Sequence, residues 1–294
     1  MKLLTFKYEG VEQVGVIVKD EISLHPISRG GITYKTMNDL IDSGTQTDFE
    51  TIKALSQEES GSIALKDITM MAPIPLPKQD IICLGINYAA HAEESARFKR
   101  EAFEKEQPAL SVYFSKRVDL AVADGEYIQS HRDMVDSLDY EAELAVIIGK
   151  DGKNIAKDKV YDHIFGYTIL NDVSARNLQT KHKQWYFGKS LDGFTPMGPW
   201  IVTVDEIDNP PALAIKSRVN GELRQNSCTD LMITSIEDAI CELSSGITLR
   251  AGTIISMGTP AGVGMGFTPP KFLNKGDVVE CEIEGIGCLK NYVD

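Results

Sequence analysis

The chain lacks the marks of a membrane, secreted or nucleic-acid-binding protein. Nowhere in its 294 residues does an apolar run approach the length of a membrane span. The opening segment MKLLTFKYEG carries charge at Lys7 and Glu9, where a secretory leader is apolar, so a cytoplasmic protein with no membrane association is expected. Cysteine is sparse: Cys83, Cys228, Cys241, Cys281 and Cys288 are scattered, odd in number and free of any C-x-x-C pair. That argues against a disulfide framework or a zinc cage and leaves buried thiols as the expectation. Basic charge is in short supply, with 30 Lys and Arg against 43 Asp and Glu and a net charge of −13. A nucleic-acid partner, which needs a basic surface, is thereby disfavoured. An anionic substrate would have to be drawn in by local cations, not by the global field. There is no internal repeat and no low-complexity tract.

What remains is an ordinary globular composition, 43% hydrophobic and 25% charged, in a chain long for one core and short for three. Residues 1–72 read as a small α/β module, with strands at 3–8, 13–18 and 21–24 and polar helical stretches at 36–41 and 49–56. The segment Met71-Ala72-Pro73-Ile74-Pro75-Leu76-Pro77-Lys78 has prolines at alternate positions. Such a segment cannot join a central sheet and favours an extended connection, so residues 73–79 are read as a linker. From residue 80 to 294 most apolar runs are strand-like, at 81–84, 110–114, 138–148, 164–170, 199–204, 213–219, 253–256 and 278–283. Helices are expected at 88–105, 174–183 and 235–243. Asn220-Gly221 between two strand-like runs signals a tight hairpin, because both turn positions need φ > 0. The fold class expected is α+β, strand-dominated.

Within the longest apolar run stands Asp139-Tyr140-Glu141-Ala142-Glu143-Leu144. A strand alternates its side chains, so Glu141 and Glu143 share one face while Ala142, Leu144, Val146 and Ile148 line the other. Two carboxylates so close repel and raise one pKa unless a cation neutralises them, and oxygen donors suit a hard divalent ion. A strand with one solvated face is the plainer reading. A third carboxylate, Asp172, ends the next apolar strand, followed by Arg176 and Gln179 at i+4 and i+7. On a helix that spacing stacks an acid, a cation and an amide on one face, although Asp172 is also read as a helix N-terminal acid and Arg176 as its ion-pair partner.

Further groups follow. Gly188-Lys189-Ser190-Leu191-Asp192-Gly193 reads as a loop presenting one lysine, either a flexible surface residue or a stabiliser of a developing oxyanion. The stretch Ser256-Met257-Gly258-Thr259-Pro260-Ala261-Gly262 has small residues whose amides can face a carboxylate, and it lacks the Gly-Lys-Ser/Thr ending of a phosphate-cradling loop. His91 and Glu94, three apart in a helix, make an oriented general base, followed by a charged stretch at 95–107 with Phe98, Ala102 and Phe103 as an apolar stripe suited to a lid.

In this order the motifs G-x-N-Y-x-x-H, D-Y-E-x-E-L, G-Y-x-x-x-N-D-x-S-A-R-x-x-Q, G-K-S-x-D-x-F-x-P-M-G-P and G-T-P-x-G-V-G resemble the fumarylacetoacetate hydrolase family over residues 78–294. The likeness is greatest to the bacterial branch with oxaloacetate decarboxylases, acylpyruvate hydrolases and hydroxymuconate-type isomerases. It implies a mixed β-roll catalytic domain, a homodimer, and Mg²⁺ or Mn²⁺ held by Glu141, Glu143 and Asp172. It also implies that Lys189, Arg176 and Gln179 lie near a small 2-oxo acid substrate, that Gly258 and Thr259 hold its carboxylate, and that His91 with Glu94 is the base. Eukaryotic fumarylacetoacetate hydrolases carry a fourth acidic ligand just before the histidine, whereas residues 85–90 here have no acid. Three ligands leave room for a chelating 2-oxo acid, whose enolate the ion would stabilise. The expectation is C–C cleavage, decarboxylation first and acylpyruvate hydrolysis next, with isomerisation or a non-catalytic scaffold as alternatives.

Overall fold

The computed structural model describes residues 1–19, 21–98 and 111–294, without the side chains of 95–98. Strands β1 (Lys2–Tyr8), β2 (Val11–Ile17) and β3 (Ser23–Pro26) come first, followed by helices α1 (Met37–Ser43) and α2 (Gln46–Ser56). Both helices open on a capping box, Thr36 with Asp39 and Thr45 with Asp48, in which each partner satisfies an amide of the first turn. Short strands β4 (Ile63–Ala64) and β5 (Thr69–Met70) precede the proline-rich segment. After it come β6 (Ile81–Gly85), helix α3 (Ala89–Phe98), β7 (Val112–Lys116), β8 (Tyr127–Ile128), β9 (Leu138–Asp139), β10 (Ala142–Ile148) and β11 (Ile164–Asn171). Next are β12 (Ser174–Ala175), α4 (Arg176–Lys181), α5 (Tyr186–Lys189), β13 (Met197–Thr203), β14 (Ala214–Val219), β15 (Glu222–Cys228), α6 (Ile236–Gly246), β16 (Ile254–Ser256), β17 (Val278–Ile283) and β18 (Gly287–Val293).

An 11-stranded mixed sheet runs β4-β3-β2-β1-β13-β11-β10-β16-β6-β7, with β5 also on β1, and a 5-stranded sheet runs β15-β14-β17-β18-β8. Among the described residues the large sheet ends at β4 and β7 and does not close into a barrel. The strand-dominated α+β class read from the sequence is the one observed. The N-terminal strands join the large sheet directly, Lys2 and Leu3 of β1 opposing Val202 and Ile201 of β13.

Strand β10 is buried along its whole length. Leu144, Val146 and Ile148 pack into a core with Ile215, Ile240 and Val279, whereas Ala145 and Ile147 pack with Leu40, Ile52 and Ile201. The two faces of the strand thus belong to two different core clusters, and the solvated-face reading of the Glu141–Glu143 segment does not hold. At the predicted hairpin Asn220 and Gly221 have φ of 52° and 80°, as a tight turn with two left-handed positions demands.

Other expectations need adjustment. The helix expected at 174–183 begins only at Arg176, because Ser174 and Ala175 pair with Asp139 and Leu138. Strand β18, absent from the sequence reading, pairs with β17 throughout. Its alternation of Cys, Lys and Tyr with Leu, Asn and Val masks the apolar run. Cys83 and Cys281 are buried thiols, but Cys288 is exposed on β18. Ala102 and Phe103 of the expected apolar stripe, the helix end at 105 and Leu110 at the start of the 110–114 strand lie outside the described residues, as does the side chain of Phe98. No helix among the described residues is long and apolar enough to cross a membrane.

Strands β11 and β13 meet where Gly166 opposes Thr203, and a Cβ on Gly166 would stand 2.2 Å from the Val202 carbonyl oxygen. Gly166→Ala should therefore lower unfolding stability by about 1–3 kcal/mol, the usual range for overpacking. Urea denaturation checks this, and an unchanged midpoint would mean that the two strands do not need their close approach.

Candidate active site

Glu141 and Glu143 stand at the head of β10, and Asp172 follows the last residue of the neighbouring strand β11. Strand pairing brings them together: the Asp172 amide donates to the Glu141 carbonyl at 2.9 Å, and the Glu141 amide donates to Asn171 Oδ1 at 3.0 Å. One carboxylate oxygen from each of the three residues lies within 4.8 Å of the others. All three side chains are nearly or fully inaccessible to solvent.

The lysine read as a loop residue is instead the last residue of the short helix α5, and it is buried. Its Nζ is 2.6 Å from Glu141 Oε2 and 2.6 Å from Asp172 Oδ2. Arg176 does not pair with Asp172. Its Nη2 reaches Glu141 Oε1 at 2.7 Å, its Nε donates to Asp139 Oδ2 at 2.9 Å, and its Nη1 donates to Gln179 Oε1 at 3.0 Å. Arg176 and Gln179 do share a helix face, as their spacing requires, but Asp172 lies ahead of that helix.

His91 and Glu94 on α3 are paired through His91 Nδ1 and Glu94 Oε2 at 3.1 Å. The Gly262 amide donates to the Glu94 carboxylate at 3.0 Å, tying α3 to the loop after β16. Gly262 adopts φ +104°, and a Cβ there would sit 2.0 Å from the Arg224 carbonyl oxygen, so glycine is required. His91, Glu141, Glu143, Arg176, Lys189 and Thr259 line one cavity of about 30 Å³, walled by Phe114 and Trp185. That is room for an ion and a water.

Two residues assigned to a substrate carboxylate are engaged within the protein. The Gly258 amide donates to Glu143 Oε2 at 3.1 Å, and the Thr259 hydroxyl donates to the Ala142 carbonyl at 2.9 Å. Ser256 donates to the same Glu143 oxygen.

Sequence reasoning missed three members. Asp139 is fully buried and accepts from Arg176 and from the Gly264 and Met265 amides at 2.7 and 3.0 Å. Lys116 is fully buried, 2.8 Å from Asp172 Oδ1, and its ammonium donates to the Lys189 carbonyl. Gln225, also fully buried, donates to Thr259 Oγ1 and the Pro260 carbonyl, each at 2.7 Å. Asp139 did carry a signal, standing two residues ahead of Glu141. Nothing local marked Lys116 or Gln225.

Burial pushes the Glu141 carboxyl up, but the charges of Lys189 and Arg176 outweigh it and hold this group down at about 2. Among the described residues no cation forms an ion pair with Glu143, whose bonds come from Ser256 and the Gly258 amide. Burial first, and then the charges of Asp172 and Glu141, push it well above its ordinary value of 4.5. Burial would lower Lys189, yet Asp172 and Glu141 keep it charged. A divalent cation fits these residues: the donors are all oxygen, each carboxylate has further lone pairs, and the surroundings that drive Glu143 toward its protonated form are those that a cation would relieve.

Comparison with known proteins identifies the family. Residues 80–294 match the family model described as fumarylacetoacetate (FAA) hydrolase C-terminal. Oxaloacetate tautomerase YisK of Bacillus subtilis (strain 168) is 47% identical over 238 residues, which cover 80% of this chain and 77% of that protein. The structure of a fumarylacetoacetate hydrolase from psychrophilic Exiguobacterium antarcticum has a TM-score of 0.86 and 38% identity, covering 100% of this chain and 99% of that one. A maleylpyruvate hydrolase from Sphingobium sp. SYK-6, solved with manganese(II) and pyruvate, has a TM-score of 0.76 and 28% identity over 100% of this chain and 98% of that one.

The raised Glu143 gives a signed prediction. Its folded form holds the proton more tightly than the unfolded chain does, so metal-free stability is greatest below 4.5 and declines as pH rises through the folded value. Glu143→Gln keeps an acceptor for Ser256 and Gly258 but removes that decline. In chelator-treated protein the variant should gain about 0.5–2 kcal/mol at neutral pH and nothing in acid. Chemical denaturation across pH checks this, and a variant less stable at neutral pH would show that the charge is not the burden.

Proposed function

The chain belongs to the fumarylacetoacetate hydrolase family, and on that premise we propose that it is a divalent-metal-dependent enzyme acting on a small 2-oxo dicarboxylate of the oxaloacetate class. The observation that carries this reading is that Glu141 and Glu143 line one cavity with the cations Arg176 and Lys189, while an Asp172 oxygen lies within 4.8 Å of a carboxylate oxygen of each glutamate. Such a site can hold both a hard metal ion and an anionic acid. Glu141, Glu143 and Asp172 would hold Mg²⁺ or Mn²⁺, the ions that suit three carboxylate oxygens. When bound, the ion supplies Lewis acidity toward the keto and carboxylate oxygens of a chelating 2-oxo acid.

The remaining chemistry belongs to the chain. A bound ion would share the charge of Glu141 and Asp172, which now hold Lys189 and Arg176, and would leave N–H groups of those two cations for the acid. Lys189 donates to the oxygen on which negative charge develops, in a cavity from which Phe114 and Trp185 exclude water. Glu94 fixes the His91 ring through Nδ1 and leaves Nε2 to take a proton from C3 and return it to the enol oxygen. The C3–H bond breaks, an O–H bond forms, and no other reactant is consumed.

Keto–enol proton transfer is placed first because the relative named an oxaloacetate tautomerase is 47% identical over 80% of the chain. This reverses the order expected from sequence, where C–C cleavage led. Cleavage stands second, supported by the likeness to a maleylpyruvate hydrolase. In that case His91 activates water or returns a proton to C3.

Ultraviolet absorbance follows oxaloacetate enol decay, and a coupled assay follows pyruvate. Metal-loaded protein should accelerate ketonisation, chelator should abolish the effect, and His91→Gln should lower kcat about 10²–10⁴-fold with KM little changed. Pyruvate release without faster ketonisation would move cleavage to first place. A loaded protein inert in both assays would remove oxaloacetate-class acids from consideration.

A further inference from the structure

Ala142, the residue between two of the three metal-site carboxylates, has both backbone polar groups held by side chains. Strand pairing explains why. Successive residues of a strand turn their N–H and C=O to alternate sides, and those of Glu141 face Asn171 and Asp172. The groups of Ala142 therefore point toward β16. The β10–β16 ladder pairs Ala145 with Ser256, and its last bond runs from the Met257 amide to the Leu144 carbonyl at 2.9 Å. Beyond that bond the chain turns away through Gly258, leaving the buried Ala142 amide and carbonyl without a backbone partner on that side.

Side chains complete the pairing as a closed ring. The Ala142 amide donates to Gln225 Oε1 at 3.1 Å, Gln225 Nε2 donates to Thr259 Oγ1 at 2.7 Å, and Thr259 Oγ1 donates to the Ala142 carbonyl at 2.9 Å. The second Gln225 amide hydrogen goes to the Pro260 carbonyl at 2.7 Å. Gln225 and Thr259 are buried, so no water competes for these bonds. The ring also fixes the amide orientation, since a flipped Gln225 would set its NH₂ against the Ala142 N–H.

We propose that Gln225 is a positioning residue for the metal site, acting with Thr259 to clamp the two peptide groups that flank Ala142 and thereby set the separation of Glu141 and Glu143. These two residues are rooted about 6.6 Å apart, two strand rises, at the outer ends of the clamped peptides. Rotation of either peptide tilts the root attached to it and changes the gap between the carboxylates. The inference rests on the metal-ion reading above. It gives the Thr259 hydroxyl a backbone acceptor in place of a substrate, and it links the second sheet, through β15, to the site in the first.

The test is Mn²⁺ titration followed by electron paramagnetic resonance of the free ion, without substrate, alongside thermal melting of the chelator-treated proteins. Gln225→Leu and Thr259→Val should each weaken Mn²⁺ binding by about 10–100-fold, the range for groups that orient metal ligands. Thr259→Ser, which keeps the hydroxyl, should restore it. The double variant should be little weaker than either single one, because the ring fails as a unit. Thr259→Val keeps the β-branched outline and supplies the reading if Gln225→Leu does not fold. Lower melting temperatures with unchanged Mn²⁺ affinity would overturn the clamp and leave a purely structural bond. Wild-type protein that binds no Mn²⁺ would remove the metal reading itself, and the clamp with it.

Discussion

A buried charge imbalance governs this protein. Four buried carboxylates, Asp139, Glu141, Glu143 and Asp172, face three buried cations, Lys116, Arg176 and Lys189. Isolated charges in a protein interior cost several kcal/mol each unless paired with good geometry. Here pairing accounts for three of the four: Asp139 with Arg176, Glu141 with Arg176 and Lys189, and Asp172 with both lysines. Glu143 is left with a serine hydroxyl and a glycine amide. The site thus stores an unmet demand for positive charge at the position where a dication would sit between three oxygen donors.

The architecture maintains that demand. A strand solvated on one face would let water screen Glu143 and dissipate the effect. Strand β10 instead packs against the smaller sheet on one face and into a second core cluster on the other, so the carboxylates at its head stay in a weakly screening interior. The first seventy residues contribute no cavity-lining side chain among those described, but Leu40 and Ile52 belong to that second cluster. Asp139 adds rigidity: one carboxylate holds both Arg176 and the amides of Gly264 and Met265, so the guanidinium and the cavity-lining loop move together.

What the sequence made legible was whatever lies within a few residues along the chain. The period-two spacing of Glu141 and Glu143, the pair Asn220-Gly221, the i,i+3 contact of His91 with Glu94 and the strand-dominated class are all local patterns. Across the strands, only the ordered set of motifs spoke. Lys116 and Gln225 carried no local mark, because their partners lie 56 or more and 34 or more positions away. The same limit put Lys189 on a loop and Asp172 at a helix start. Burial of a lysine between two acids is decided by packing, which no single segment encodes.

The long sequence separations have a consequence for how the protein is made. Glu143 receives its donors from Ser256 and Gly258, more than a hundred residues downstream, and Asp139 receives amides from Gly264 and Met265. During synthesis these acids are made well before the segment that supplies their fixed donors. The growing chain therefore carries the acidic cluster without those donors until residues 256–265 have been added and folded onto it.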